Sequence, residues 1–384
     1  MGHTRQIVAI FLVLIGALIT GGFSRFSSPN REKQWSVSLA GNSDWSAAKK
    51  TIDINSYRPS RVEFTDDKTI VVTFMHSLKK PEPERQSSFM EPVFFEALFF
   101  DARDGHLRGT LQWQARRDAG EFQPVHDGGF LVHAGDKIMR YSPDLKPVRE
   151  RDLTPPAEAD EKRSYLPREW RVYGVPGGRT AVSRFHEERE STDTWMDTDT
   201  LEDIFSDKPQ YGGNSLLGIF ADDARLASKN IGAYPNQTSQ LLLWERGKGW
   251  REIVAQGAGQ TFLANNLLLL CSFRRDCKVI NRNGEIIFQY PLTQADPSNL
   301  LVKRNLDGTR FAINDTHRAI PIIQKHDFFD WNFEAKVGDV NQRKLVADIG
   351  LGTHDARQID LALSPDGSQL AVLAESTVTL YRLP

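Results

Sequence analysis

The two cysteines of the chain, Cys271 and Cys277, have its most reactive side chains, and five residues lie between them. Thiols form disulfides or bind metals. Hydrophobic runs precede and follow the pair, which predicts a hairpin with a short loop. Directly opposed residues of a hairpin have Cα atoms about 4.5–5.5 Å apart, which a disulfide spans. We therefore predict a Cys271–Cys277 disulfide, with two reduced, half-buried thiols as the alternative. A metal site would need more ligands than the neighbourhood offers.

Histidines and carboxylates are the other groups that could bind a metal or transfer protons. His126 and His133 lie near one predicted hairpin. Two imidazoles without a third ligand make a poor metal site, so we interpret both as surface residues. The acidic run from Asp193 to Asp207 lacks the glycine and terminal glutamate of a calcium loop and predicts a solvated hairpin end. The sequence has no His-Glu-x-x-His helix, Gly-x-Ser-x-Gly elbow or phosphate-binding Gly-Lys-Ser/Thr loop. We predict no metal and no cofactor, and name no catalytic residue.

A repeated pattern of hydrophobic runs and turn signals indicates the elements that position these groups. Seven times, a short hydrophobic run meets a tight-turn signal and a second run follows; the last copy, Ile359 to Leu373, turns at a Ser-Pro-Asp-Gly sequence. A second hairpin follows most copies, so each unit has four strands over about 35–60 residues, a period typical of propeller blades. We predict an all-β fold, a seven-bladed β-propeller of four-stranded antiparallel blades.

The seventh unit is one strand short, because Val378 to Leu383 is only its third strand. An unpaired sheet edge of this kind must be covered. Gln34 to Leu39 alternates apolar and polar residues and belongs to no other unit. We predict that this N-terminal strand, 34–39, completes blade 7 and closes the ring. The alternative is a disordered exported tail.

The segment from Leu361 to Val372, LALSPDGSQLAV, resembles the blade signature of WD-repeat-like and related bacterial β-propellers. The resemblance covers about residues 34–384 and is sharpest in the last blade. The Trp-Asp dipeptides of WD repeats are missing, so their internal hydrogen-bond network is not assumed here. The resemblance implies a fold, whereas propellers include enzymes, scaffolds and binding proteins alike.

The N-terminus differs from the rest of the chain. His3 and Arg5 precede an apolar run from Ile7 to Ile19, and small residues follow up to Phe23. This order predicts a signal peptide or a retained N-terminal membrane anchor over residues 1–23. Residues 24–33 are then a linker, and residues 34–384 are the propeller. Either form places the propeller outside the cytoplasm: periplasmic, secreted, or attached to a membrane through residues 7–23. A buried core segment is the alternative.

The overall charge argues against one large class of partners. Lysine and arginine number 48, and aspartate and glutamate 50, for a formal net charge of −2. A protein that binds nucleic acid is normally basic. We therefore expect no nucleic-acid partner.

Long insertions are predicted on one rim of the ring, at residues 77–92, 154–169, 186–193, 229–239 and 315–330. Long loops on a rigid scaffold tend to carry function. Aromatic and cationic residues on or beside these loops are the candidate ligand or partner contacts: Tyr165, Arg168, Trp170, Tyr234, His326, Phe328 and Trp331.

These observations predict an exported, non-catalytic β-propeller that binds a protein, peptide or glycan on its long-loop face. The alternative is an extracytoplasmic propeller enzyme, a hydrolase or lyase, with catalytic residues at the mouth of the central channel. Propeller enzymes gather such residues from different blades, so no local motif is required. Acids, histidines or arginines that converge on a pocket of the central channel, with shifted pKa values, would favour the enzyme.

Overall fold

The computed structural model describes residues 32–41, 60–76, 92–116, 120–134, 137–153, 169–174, 180–187, 190–207, 215–219, 224–231, 238–245, 247–254, 259–263, 267–271, 276–291, 301–318, 331–354 and 359–384. Every regular element in these ranges is a β-strand, and none of their residues is helical. The all-β prediction is confirmed.

The chain begins with β1 (Glu32–Ser38), which belongs to the last sheet. The next twelve strands form three antiparallel sheets, each with its strands in chain order. The first sheet contains β2 (Ser60–Asp66), β3 (Thr69–His76), β4 (Pro92–Asp101) and β5 (Leu107–Arg116). The second contains β6 (Gly120–Pro124), β7 (Phe130–Ala134), β8 (Lys137–Tyr141) and β9 (Pro147–Asp152). The third contains β10 (Glu169–Gly174), β11 (Thr180–Glu187), β12 (Glu190–Asp197) and β13 (Asp203–Asp207).

The remaining strands repeat this arrangement. The fourth sheet contains β14 (Ser215–Ile219), β15 (Arg225–Ile231), β16 (Thr238–Glu245) and β17 (Gly249–Val254). The fifth contains β18 (Gly259–Leu263), β19 (Leu267–Cys271), β20 (Asp276–Asn281) and β21 (Ile286–Pro291). The sixth contains β22 (Val302–Arg304), β23 (Arg310–Arg318), β24 (Trp331–Asp339) and β25 (Lys344–His354). The seventh contains β26 (Ile359–Leu363), β27 (Gln369–Ala374) and β28 (Thr377–Arg382), with β1 at its outer edge.

The turn between β26 and β27 shows why the sequence reverses direction at these points. The Gly367 N–H donates to the Ser364 carbonyl at 2.8 Å, and Gly367 has a φ of 74°. Glycine occupies this left-handed region at no steric cost. The Asp366 carboxylate accepts the Ser368 N–H at 2.8 Å, which fixes the following residue. The Ser-Pro-Asp-Gly sequence therefore specifies the turn through its own side chains.

The sheets pack face to face around their first strands. The first strand of each sheet contacts the first strand of the next, from β2 through β6, β10, β14, β18 and β22 to β26, and β26 contacts β2. Apolar clusters join neighbouring sheets; Phe99 and Phe130, for example, join the first sheet to the second, with ring centroids 5.2 Å apart. This is the architecture of a β-propeller with four-stranded antiparallel blades.

A buried cation joins the third sheet to the fourth. The Arg225 guanidinium lies 4.2 Å from the ring centroid of Trp195 and 4.2 Å from that of Trp244. Arg225 is completely buried. A cation over an aromatic face contributes about 2 kcal/mol or more when water is excluded. The arginine therefore fills the interface and stabilises it electrostatically.

The strand β1 closes the seventh sheet by pairing with β28, so the predicted pairing of the first strand with the last is confirmed. Trp35 lies opposite Leu380, and Val37 lies opposite Val378. Both side chains pack on the apolar cluster shared with the first sheet, and Trp35 Nε1 donates to the Ala102 carbonyl at 2.8 Å. The strand covers 32–38 rather than 34–39, because its pairing continues to Glu32 past an irregularity after Lys33.

The predicted disulfide is present. Cys271 ends β19 and lies directly opposite Cys277 of β20, with Cα atoms 4.1 Å apart. Both residues are buried in a cluster that includes Tyr290 and Phe311 of the neighbouring strands. The disulfide therefore ties a hairpin at the interface between the fifth and sixth sheets.

The structure corrects the interpretation of His133 as a surface residue. His133 is 1% exposed, because β7 is an inner strand of its sheet and is covered on both faces. Its Nδ1 lies 3.8 Å from Glu121 Oε2 on the adjacent strand. His126 is half-buried, with Nε2 4.0 Å from Asp199 Oδ2. The two histidines thus face different carboxylates.

One predicted insertion, residues 186–193, is mostly strand. The ladder between β11 and β12 continues through His186 opposite Ser191 to Glu187 opposite Glu190. Polar residues extend a strand at its end because the ladder hydrogen bonds belong to the backbone. Only residues 188–189 join the two strands.

The predicted export or anchor segment, residues 1–23, lies outside the described residues, as does most of the predicted linker. Among the described residues, no helix is long and apolar enough to cross a membrane.

The packing of β1 leads to a stability prediction. Trp35→Ala removes a half-buried indole and its hydrogen bond to Ala102, so we expect the free energy of unfolding to fall by about 2–3 kcal/mol. Trp35→Phe keeps most of the packing and should lose only about 1 kcal/mol. Denaturant unfolding of the three proteins tests this. Equal midpoints for wild type and Trp35→Ala would show that β1 does not hold the ring closed.

Candidate functional site

Most of the predicted contact residues lie outside the described residues: Tyr165, Arg168, Tyr234, His326 and Phe328. Trp170 lies on β10 opposite Phe185, and Trp331 begins β24 opposite His354. The two tryptophans therefore belong to the third and sixth sheets. Their roles as ligand or partner contacts stay predictions.

The strand bounds show a strong difference between the two rims. Every connection between the first and second, or third and fourth, strands of a sheet spans five residues or fewer. Connections longer than five residues all join second to third strands or one sheet to the next; the longest within or between sheets are 39–59, 77–91, 153–168, 292–301 and 319–330. We call the first rim the tight-turn face and the second the long-loop face.

Three charged side chains from different sheets meet on the inner strands. Lys303 Nζ of β22 lies 2.6 Å from Glu63 Oε1 of β2 and 3.6 Å from Asp360 Oδ2 of β26. Asp360 Oδ2 also accepts the Val62 backbone N–H at 2.9 Å. Asp360 is 4% exposed on its side chain. This inner-strand cluster links the first, sixth and seventh sheets.

Burial and charge shift the titration of this cluster in opposite ways. Burial raises the pKa of Asp360, and the Lys303 ammonium only partly offsets it. Burial alone would lower the pKa of Lys303, but the Asp360 and Glu63 carboxylates raise it above its ordinary value. The three charged groups form ion pairs with one another, as expected for a contact that holds sheets together.

A pocket of about 710 Å³ lies on the tight-turn face where the first and seventh sheets meet. We call it the seam pocket. Its lining comes from the turns β2–β3, β4–β5 and β26–β27 and the residues beside them: Asp67, Lys68, Asp101, Arg103, Arg108, Asp366, Ser368 and Gln369. The volume is within the usual range of ligand sites, about 300–1,000 Å³.

Two carboxyl groups connect the sheets at this pocket. Asp67 Oδ1 accepts the Asp366 backbone N–H at 3.0 Å. Burial raises the pKa of Asp67, and the adjacent Asp366 charge raises it further. Burial would also raise the pKa of Asp366, but hydrogen bonds from Ser364 and Ser368 lower it below its ordinary value. Asp67 is therefore the carboxyl of this pair that protonates more readily.

Two arginines of the pocket differ in how their donors are used. Arg103 donates from Nε and Nη2 to the Asp101 carboxylate, at 3.0 and 2.8 Å, and these bonds lower the pKa of Asp101 to about 2. Arg108 donates from Nη1 to Thr69 Oγ1 at 2.8 Å. Arg103 is thus neutralised within its own turn, whereas Arg108 has donors left over.

Sequence reasoning missed this pocket, because the turn from Phe100 to Gly105 reads as an ordinary hairpin turn. Charged residues at both turns of the first unit and at the first turn of the last unit are the signal that was present. These charges predict a pocket only when it is known that ring closure brings the first and last units together. Among the described residues, no group of three His, Cys, Asp or Glu side chains could hold a metal ion.

No protein-family profile and no curated protein matches the sequence. A chain of a mitotic checkpoint complex is similar in structure, with a TM-score of 0.50 and 14% identity over 91% of this chain and 94% of that chain. The C-terminal WD40 domain of Sif2 gives a TM-score of 0.44 at 10% identity, over 92% and 99% of the two chains. BamB from Moraxella catarrhalis gives 0.38 at 11% identity, over 92% and 99%.

The sheet packing and the first of these likenesses define the class of fold. The chain has a β-propeller fold, which is the fold that the resemblance of its last repeat implied. At such identities the likeness concerns the fold alone.

The inner-strand cluster leads to a prediction about pH. Lys303→Met removes the cation that contacts both Asp360 and Glu63, so we expect stability at pH 7 to fall by about 3 kcal/mol. The folded-state pKa of wild-type Lys303 is raised, so its contribution is complete below about pH 10 and is lost as the pH rises beyond that. In the variant this alkaline loss disappears. Destabilisation should also be smallest in acid, where Asp360 is protonated.

Lys344→Met is the matched control, because Lys344 is an exposed lysine at the start of β25. Its alkaline unfolding curve should follow wild type. Denaturant unfolding between pH 4 and about pH 11 gives the measurement. A Lys303→Met variant as stable as Lys344→Met at every pH would contradict the assigned tie.

Proposed function

We propose that this protein is an exported, non-catalytic propeller that binds a protein, peptide or glycan on its long-loop face. In this proposal residues 1–23 direct export or anchor the chain, residues 24–33 link them to the propeller, and residues 34–384 supply the propeller. Its seven sheets are seven blades of one ring, closed by the N-terminal strand. Contacts between successive first strands, including β26 with β2, support that closure.

The difference between the two rims is the observation that carries the binding role. The tight-turn face is held by connections of five residues or fewer, so its shape is set by the strands. The opposite face carries every longer connection, including 77–91, 153–168 and 319–330. Long connections on a rigid scaffold offer a large, variable surface, which is the usual arrangement of a binding face.

The inner-strand charges favour binding over catalysis. A hydrolase or lyase needs an acid or base with a free hydrogen-bonding position for its substrate. The Asp360 carboxylate instead accepts a backbone N–H and lies within 3.6 Å of Lys303 Nζ. Lys303 also binds Glu63, so the three groups already have partners.

Export is supported by the N-terminal segment and by the Cys271–Cys277 disulfide, because disulfides persist in oxidising compartments. We expect the full-length chain to fractionate outside the cytoplasm, with both cysteines unreactive toward maleimide after denaturation because they form the disulfide. A variant lacking residues 2–23 should stay inside, with both thiols reactive after the same denaturation. Full-length protein recovered in the cytoplasm with free thiols would contradict export.

The binding face is tested by shortening its connections. Replacing 77–91, or 319–330, with a short Gly-Ser linker removes loop surface without touching a described strand. Photo-crosslinking in cells, followed by mass spectrometry, should identify a partner of wild type that these variants lose. Asp144→Ala, in the β8–β9 turn of the opposite face, is the control and should retain it. A partner kept by both loop variants and lost by the control would overturn the assignment.

A further inference from the structure

The carboxylates of the seam pocket already accept hydrogen bonds from the protein's own donors; Asp67, for example, accepts the Asp366 backbone N–H. Asp366 accepts hydrogen bonds from the Ser364 hydroxyl at 2.6 Å, the Ser368 N–H at 2.8 Å and the Ser368 hydroxyl at 2.7 Å. The Asp101 carboxylate accepts three hydrogen bonds from Arg103: one from its backbone N–H and two from its guanidinium nitrogens. A ligand that needed carboxylate acceptors would therefore have to displace these bonds.

Two cationic donors of the pocket, unlike its carboxylates, still have hydrogen-bonding capacity for a ligand. In the described part of the chain, neither the Lys68 ammonium nor the Arg108 guanidinium has a carboxylate within ion-pairing distance. Both side chains are exposed at the pocket wall. Arg108 uses Nη1 for Thr69, which holds the guanidinium in place and leaves its other N–H groups available. Two positive donors thus remain for an anionic group.

One acceptor in the pocket wall is unsatisfied. Gln369 donates from Nε2 to Gln34 Oε1 at 3.2 Å, but its own Oε1 is buried and has no hydrogen-bond partner among the described residues. A buried acceptor without a partner destabilises the folded protein. Gln369 lines the pocket, so a rotation of its side chain would bring Oε1 to a ligand N–H or O–H donor.

We propose that the seam pocket binds an acidic peptide segment. A glutamate or aspartate carboxylate of the peptide is held by Lys68 and Arg108, and a peptide N–H donates to Gln369 Oε1. An acidic glycan offers similar groups, but none of the described residues that line the pocket is aromatic and could stack on a sugar face. None of these residues is apolar either, which fits a polar peptide. This site lies on the tight-turn face and does not depend on the proposed long-loop binding.

Fluorescence anisotropy tests the proposal with the full chain. The probes are fluorescein-labelled, amidated pentapeptides with glutamate at the second and fourth positions and each amino acid in turn at the centre. At least one should bind, and the matching glutamine peptide should bind about tenfold more weakly, since it cannot form a charge-assisted hydrogen bond through a carboxylate. Affinity should fall as salt screens the exposed charges.

Three variants locate the bound peptide. Lys68→Met and Gln369→Leu should each weaken binding about tenfold. Lys146→Met removes an exposed lysine from the β8–β9 turn of the same face and should bind as wild type does. Thermal melting confirms that each variant folds. The proposal is overturned if no peptide binds, if Lys68→Met and Lys146→Met bind equally, or if an oligogalacturonate binds in the pocket and the peptides do not. Loss of a long-loop partner would leave these results unchanged.

Discussion

A sheet with two apolar faces is stable only when both are covered, and this single constraint shapes the whole molecule. Each sheet gains one cover from the sheet before it and one from the sheet after it. The arrangement is complete only if the last sheet also packs on the first. That contact is made by a cluster with Val62 and Ile70 from the first sheet and Ala371 and Leu380 from the seventh. The strand β1 extends it, because Trp35 hydrogen-bonds to Ala102 across the same junction.

Charged residues fix the relative position of the sheets, which apolar packing alone would leave unspecified. Apolar surfaces can slide, whereas Arg225 between two indoles and Asp360 on the Val62 N–H each require one register. Buried charges are expensive unless they are paired, so they act against misaligned neighbours as much as they stabilise correct ones. In this protein such contacts include Arg225 at the interface of the third and fourth sheets and Asp360 at the seam. They complement the apolar clusters that cover the faces.

The fold could be predicted from the sequence because local signals specify it. Turn residues such as Gly367 mark each hairpin, and the number of hairpins in each unit gives the four-strand period. The pairing of β1 with β28 was readable from alternation at Trp35 and Val37, together with a missing strand. The seam pocket was not readable, since Asp67 and Asp366 are 299 residues apart in sequence and meet only through ring closure. The burial of His133 was not predicted, because histidine occurs both on exposed strand faces and on strands that are covered on both faces.

The two rims divide rigidity and variation between them. On the tight-turn face, short turns limit how far side chains can move relative to their strands, and Thr69 holds the Arg108 guanidinium in place before any ligand arrives. Pre-organisation of this kind lowers the entropic cost of binding a small segment. On the long-loop face the connections between strands are longer, so their length and sequence can vary without the loss of a strand. One scaffold therefore carries a preformed pocket on one rim and the longer connections on the other. Binding at the preformed site would add contacts across the seam, which is the junction that ring closure most depends on.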